Sequence, residues 1–233
     1  MKTYIINLKR RNDRRERMQA ILPKGLQAEL TTDWDGSLDG REITPETLRG
    51  FGLFPWQIES DNKWWNRPLK KGEICCSISH YLIWRHAIKM NDNTFLILED
   101  DVYFIDEFMR HLVQSLERLN LYDSKWELLY LGRVPLEQDE PVMDGIVRPG
   151  YSHCTYAYLL TKSGVKKLLN SGFEKALIPV DEFLPAMYID HPRADVRQMF
   201  PKRLSAYALK PAIVFQLSKT VAGSDTEESD FID

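Results

Sequence analysis

The sequence predicts an α/β fold around a largely parallel sheet, and three observations carry that expectation. Continuous apolar runs at Tyr4 to Leu8, Phe95 to Leu98 and Trp126 to Gly132 have the character of strands buried on both faces. Segments of helical periodicity separate them, notably 71–88 and 106–120. The middle run passes directly into Glu99-Asp100-Asp101, and the space beyond the carboxyl ends of strands is where open α/β sheets bind ligands.

Tyr4-Ile5-Ile6-Asn7-Leu8 is the first strand. A basic cluster, Lys9-Arg10-Arg11-Asn12-Asp13-Arg14-Arg15-Glu16-Arg17, then opens a helix to about Leu22, with Met18, Ile21 and Leu22 on its core side. The arginines are either solvated charges or an anion seat at a strand end and helix start. Leu26 to Leu30 forms a short strand and Asp35-Gly36 a turn, which could equally hold a ribose or base. The loop from Gly50 to Pro68 carries Phe51, Phe54, Trp56, Trp64 and Trp65. These aromatics either pack on one another or offer flat faces to a sugar ring or peptide.

The helix of 71–88 is apolar at 74, 78, 81, 82, 84 and 88, a breadth that implies burial. Ser79 and His80 are polar groups inside it. After the acidic motif, 106–120 is amphipathic through Phe108, Leu112, Leu116 and Leu119. Trp126 to Gly132 is a further buried strand, and 134–149, with three prolines, is a surface excursion. Tyr151 to Leu160 is strand-like and Thr161 to Asn170 a capped helix. Prolines 179 and 185 frame Asp181 and Glu182, which suits either a positioned base or a helix cap with a first-turn acid. Terminal strands span Tyr207 to Phe215. With no interdomain linker in sight, 1–221 reads as one domain and the acidic stretch 222–233 as a mobile tail.

At 233 residues, with 43% hydrophobic and 28% charged content, the chain supports one sizeable globular core. A net charge of −3 gives no electrostatic case for nucleic acid or a membrane surface. No apolar run approaches a membrane span. Cys75, Cys76 and Cys154 fit no disulfide framework or metal-type spacing and are compatible with a reducing compartment. The chain enters a strand after Met1-Lys2-Thr3 with no visible signal peptide. A cytoplasmic location is expected as the sequence stands, whereas a fragment of a secretory enzyme of the endoplasmic reticulum lumen would look the same.

Three adjacent carboxylates at a buried strand end repel one another, and a divalent cation would relieve that. Glu99 and Asp101 share a side of an extended chain, which suits a hard cation held by oxygens. The plainer alternative is a loop of solvated acids.

Several of these stretches together resemble glycosyltransferase family 25, the family of bacterial lipooligosaccharide galactosyltransferases and collagen galactosyltransferases. The matching pieces are Ile5 to Arg15, the Asp35-Gly36 turn, Arg67 to His80, Leu98 to Val102 and Leu129 to Arg133. Pro179-Val180-Asp181-Glu182-Phe183-Leu184-Pro185 and Ser224-Asp225-Thr226-Glu227 look especially like the collagen branch. The resemblance implies a GT-A fold with a twisted, mostly parallel sheet flanked by helices. It also implies inverting transfer of a hexose, usually galactose from UDP-galactose with UDP-glucose as the other donor, to hydroxylysine of collagen-like protein or to a saccharide.

On that resemblance Glu99 and Asp101 would hold Mn²⁺, with Mg²⁺ as the alternative. Asn7, Leu8, Arg14, Asp35, Gly36, Ser79, His80 and Asp100 would line the nucleotide-sugar site, and Asp181 or Glu182 would be the base. Collagen transferases carry a His after the last strand, which Val214 to Thr220 lacks here. The third protein ligand is therefore unassigned, or it is water. A catalytically inactive relative acting as a binding or scaffold protein is the competing expectation. A phosphotransferase is disfavoured by the lack of a Gly-rich phosphate loop.

Overall fold

The structure, a computed structural model, describes residues 1–232. Along the chain run β1 (Lys2–Ile6), α1 (Asn12–Ile21), β2 (Ala28–Leu30), α2 (Lys71–Ala87), β3 (Thr94–Glu99) and β4 (Val102–Phe104). They are followed by α3 (Phe108–Tyr122), β5 (Leu128–Pro135), β6 (Glu140–Met143), β7 (Ile146–Arg148), β8 (Ser152–Thr161) and α4 (Lys162–Leu169). The last elements are α5 (Val180–Ala186), α6 (Ala194–Met199), β9 (Ala206–Leu209), β10 (Val214–Gln216) and α7 (Lys219–Ala222).

Eight strands form one sheet in the order β2-β1-β3-β8-β5-β9-β7-β6. The sheet is mostly parallel in direction, because β7 and β8 alone among its strands run against the other six. By pairing it is mixed, since β8 lies antiparallel between β3 and β5. That insertion brings the beginning of β8 to the carboxyl end of β3. β4 and β10 make a separate antiparallel ribbon.

The apolar runs bury both faces as expected. Tyr4, Phe95, Ile97, Tyr130 and Tyr158 face α2, α4 and α5, where Trp84, Phe173 and Phe183 fill the core. Ile5, Leu96, Leu98, Leu129 and Leu131 face α1 and α3 through Met18, Phe108, Leu112 and Leu119. This period-two division is what a covered sheet requires, and each buried apolar side chain contributes about 1.5–3 kcal/mol.

Local chemistry sets the element ends. Glu73 accepts the Lys70 backbone N–H at 2.8 Å and starts α2, and Thr161 Oγ1 accepts from Gly164 N–H at 3.2 Å and starts α4. Gly132 allows a crossing: a Cβ there would lie 2.2 Å from the Val214 carbonyl and 2.4 Å from the Tyr156 ring. β10 therefore passes close over β5 and delivers Gln216 to Asp101.

Two expectations change. The segment 134–149 carries the end of β5 and a β6–β7 hairpin, with Pro141 on the edge strand β6, where a missing N–H is tolerated. Residues 222–232, predicted as a mobile tail, fold back along the molecule. Asp225 pairs with Arg10 at 2.5 Å and Arg11 at 2.7 Å, Ser229 Oγ accepts from Gly72 N–H at 2.8 Å, and Ile232 N–H donates to Leu69 O at 2.8 Å. The composition of the tail hid these partners because they lie far away in sequence. Asp233 lies outside the described residues.

Candidate active site

The site is assembled where β1 and β3 end and β8 begins. Ile6 pairs with Glu99 across the β1–β3 ladder, so the next residues, Asn7 and Asp100, become neighbours. Asn7 Nδ2 donates to Asp100 Oδ2 at 2.7 Å, and Arg14, from the first turns of α1, donates to Asp100 Oδ1 at 2.7 Å. Asp100 is thereby fully engaged. Burial raises its pKa, and Arg14 opposes that.

Its neighbours are poorly compensated. Asp101 is buried; Oδ2 accepts from Gln216 at 3.2 Å, and Oδ1 has no partner among the described residues. Burial and then Glu99 push the Asp101 carboxyl up to about 6. Glu99 Oε1 lies 3.4 Å from Thr155 Oγ1, but that hydroxyl is nearer Asp181 Oδ1, at 3.0 Å, and has one proton to give. Burial first, then Asp181 and Asp100, raise Glu99 to about 8. Glu99, Asp101 and Asp181 therefore share a negative field for which the surrounding cations do not compensate. Such a set of oxygens fits a hard divalent cation, which Glu99 and Asp101 could hold.

A cavity of about 290 Å³ opens over Glu99 and Asp181, near the lower end of ligand-pocket sizes, about 300–1,000 Å³. Glu99, Asp181, His153, Cys154 and Gln216 lie on its walls with Trp56 and Trp64, and Ser224, Thr226 and Glu227 border it from the folded-back C-terminal segment. A smaller cavity of about 80 Å³ adjoins it, lined by Asn7, Leu8, Arg14, Ser79, Glu99 and Asp100. Cys76 and Thr226 touch both.

Asn7, Leu8, Arg14, Ser79, Glu99 and Asp100 thus border one cavity beside Asp101, whereas Asp35, Gly36 and His80 do not line it. Asp35 is a surface residue whose side chain is 81% exposed and pairs with Lys9. Gly36 serves packing, because a Cβ there would lie 2.3 Å from the Trp34 ring. Ser79 Oγ donates to Cys75 O at 2.7 Å and accepts from Leu38 N–H at 3.1 Å, which pins the 31–40 loop to α2. His80 is completely buried behind the cavity wall, its Nδ1 2.7 Å from the Tyr158 hydroxyl, and burial lowers its pKa to about 4.

The two framed acids border the same cavity but have different partners. Asp181, in the first turn of α5, accepts at Oδ1 from the backbone N–H and hydroxyl of Thr155, both at 3.0 Å, and lines the large cavity. Glu182 is 3% exposed and collects Tyr151 Oη at 2.7 Å, His191 Nε2 at 2.8 Å and Trp65 Nε1 at 3.3 Å, with His153 Nε2 also 3.3 Å away. Burial alone would raise its pKa, but His153 and His191 outweigh that and hold it well below the usual carboxylate range. Such a carboxylate is a poor proton acceptor, so Glu182 does not fit the base role expected as the alternative to Asp181.

Sequence reasoning missed Tyr151, His153 and His191 around Glu182. Their positions fit no local motif, and only β8 and the α5–α6 connection unite them. His153 and Cys154, adjacent in β8, both line the cavity because Cys154 sits at φ 63°, which breaks strand alternation. The tryptophan loop divides. Trp56 is buried under the Arg193 guanidinium, 4.4 Å above its ring, and Trp65 reaches Glu182. Trp64, 44% exposed, stands at the cavity rim with Arg67 stacked 4.9 Å from it.

The arginine cluster also has identified partners. Arg14 donates to the Ala222 and Gly223 carbonyls at 2.9 and 3.1 Å, while Arg10 and Arg11 hold Asp225.

Comparison with known proteins identifies the family. The family model described as "Glycosyltransferase family 25 (LPS biosynthesis protein)" matches residues 1–138. "Procollagen galactosyltransferase 2" of Mus musculus is 33% identical over 239 residues, covering 97% of this chain and 37% of that protein. A "Glycosyltransferase 25 family member" of Aedes aegypti is 35% identical over 241 residues, 99% of this chain and 38% of that protein. "Probable inactive glycosyltransferase 25 family member 3" of Bos taurus is 35% identical over 217 residues, 90% of this chain and 36% of that protein. The chain therefore spans little more than a third of the length of these relatives. Among solved structures, HddC from Yersinia pseudotuberculosis aligns with 98% of this chain and 77% of its own, at 12% identity and a TM-score of 0.35. On the family-model match, the chain belongs to glycosyltransferase family 25.

Proposed function

We propose that the chain is a metal-dependent, inverting glycosyltransferase that moves a hexose, galactose foremost, from a UDP-sugar to an acceptor hydroxyl. The observation that carries this reading is the undercompensated pair Glu99 and Asp101 at the end of β3, of which Glu99 lines a cavity of about 290 Å³ with Asp181, held beside it through Thr155. The relatives' names support galactose and a collagen-like acceptor; hydroxylysine is the acceptor residue that the family resemblance implies, and a saccharide is the alternative acceptor.

In this mechanism Asn7, Leu8 and Arg14 line the nucleotide and phosphate side. Asp100 holds Arg14 and Asn7 in place rather than contacting the sugar. The acceptor hydroxyl attacks the anomeric carbon from the face opposite UDP. Its proton passes to Asp181, and UDP leaves with the electrons of the broken bond. When bound at Glu99 and Asp101, Mn²⁺ or Mg²⁺ supplies Lewis-acid charge to a leaving diphosphate. Glu182 keeps Tyr151, His153, His191 and Trp65 in register around the acceptor side.

Asp101→Ala is expected to abolish metal-dependent transfer from UDP-galactose while far-UV circular dichroism stays that of the wild type. Transfer at near wild-type rate in this variant rejects the metal assignment. The alternative, an inactive relative with a binding role, is favoured by Asp225 filling the arginine cluster and by the relative named inactive. UDP release by the wild type with Mn²⁺ and a hydroxylysine peptide or lactose-type acceptor separates the two.

A further inference from the structure

Behind the acidic pair lies a second donor set of different chemistry. Cys76 and His80 are one helical turn apart on α2, and the end of β3 brings Glu99 against them. One ligand atom from each, a sulfur, a nitrogen and an oxygen, lie within 4.8 Å of one another. His80 Nε2 is the telling atom. It is completely buried, has no hydrogen-bond partner among the described residues, and lies 3.7 Å from Glu99 Oε1. A buried polar nitrogen without a partner costs free energy unless something completes it.

We propose that Cys76, His80 and Glu99 form a binding site for a borderline-soft divalent cation, zinc foremost. The donors match zinc, which accepts thiolate, imidazole and carboxylate at about 2.0–2.3 Å. Tetrahedral ligands at those lengths stand about 3.4–3.8 Å apart. The His80–Glu99 spacing of 3.7 Å is within a few tenths of an ångström of that value, and the remaining atoms, no more than 4.8 Å apart, close by shifts of about 1.2 Å at most. The outer support is present. Nδ1 of His80 is held by the Tyr158 hydroxyl at 2.7 Å, which Trp84 Nε1 approaches at 3.2 Å, so the imidazole is oriented toward Glu99.

Cys76 and Glu99 both line the large cavity, which gives the ion an entry path and leaves a fourth position for water. On binding, the Cys76 sulfur, and Glu99 where it carries a proton, exchange protons for the metal, and these protons leave to solvent. Because Glu99 belongs to both donor sets, zinc here competes with a hard cation at Glu99 and Asp101 for that carboxylate. The site stands on its own geometry and does not depend on the transferase proposal.

Cobalt(II) is the probe, because a cobalt–thiolate bond gives a charge-transfer absorption that oxygen ligands do not. The full chain titrated with Co²⁺ is expected to show that absorption at one ion per chain, with Zn²⁺ displacing it. Cys76→Ser is expected to lose the absorption. Tyr158→Phe is expected to weaken zinc binding about 10- to 100-fold, the usual cost of losing an outer-shell partner. The Cys75→Ser/Cys154→Ser double variant, in which Cys76 is the remaining thiol, must keep the absorption, and this arm decides the matter should Cys76→Ser fail to fold. Absence of the absorption in the wild type, its survival in a folded Cys76→Ser chain, or its loss in a folded double variant would each overturn the proposal, whatever the transfer assay shows.

Discussion

Glu99 and Glu182 border the same cavity and are treated in opposite ways. Glu182 is surrounded by donors from Tyr151, His153, His191 and Trp65, and it is held ionised. Glu99 has one long contact to a hydroxyl already committed to Asp181, and it is pushed toward its neutral form. A carboxylate whose lone pairs are all used acts on its neighbours. A carboxylate left short of donors has free capacity for an ion or a substrate. The contrast separates scaffolding from chemistry at one site, although both residues are buried acids at the ends of regular elements.

The sharpest way to break this comparison uses Asp181, the residue next to Glu182 in sequence, which is held by Thr155 instead of the histidines. Asp181→Asn is expected to lower kcat about 10²- to 10⁴-fold, the range for losing a general base, with UDP-sugar binding retained. Steady-state kinetics and donor calorimetry check it. An equal loss in Glu182→Gln with intact Asp181 would reverse the two roles.

The next effect is on stability. Glu182→Ala leaves two imidazoles, a phenol and an indole N–H without their common acceptor, and removing one member of a buried charged network costs about 3–5 kcal/mol. Urea unfolding measures it, and a loss under 1 kcal/mol would mean that Glu182 is not the keystone of its cluster.

The smallest effect tests Glu99. Its carboxyl sits near 8 in the fold against an ordinary 4.5. Between these values the folded chain holds a proton that the unfolded chain has released, so raising the pH lowers metal-free stability. Glu99→Gln removes that term. Its Tm is expected to exceed the wild type's by more at pH 8 than at pH 5, by about 2–4 °C for each kcal/mol. His80, lowered to about 4, acts in the other direction as pH falls below 6.5, equally in both proteins. A pH-independent Tm difference would show that Glu99 is better compensated than its contacts suggest.

The sequence revealed whatever is local. The apolar run Phe95 to Leu98, the breadth of the 71–88 helix and the abrupt acids all appear in the structure where periodicity places them, because each follows from a few adjacent residues. The insertion of β8 between β3 and β5 was not legible, since antiparallel pairing of distant strands leaves no mark on either strand's pattern. For the same reason Asn7, Arg14 and Asp100 were found through two adjacent motifs, while His153 and His191 were not. Asp35-Gly36 shows the opposite failure: a turn signal is read correctly as a turn, but its side chain faces solvent.

The fold-back of the C-terminal segment has a consequence for any anion approaching the first helix. Arg10 and Arg11 already carry Asp225, so a phosphate would not meet bare guanidinium groups. It would have to exchange places with a carboxylate tethered to the same molecule, whose local concentration is fixed by the chain and unaffected by dilution. Affinity at that spot is therefore a difference between two ion pairs rather than the strength of one.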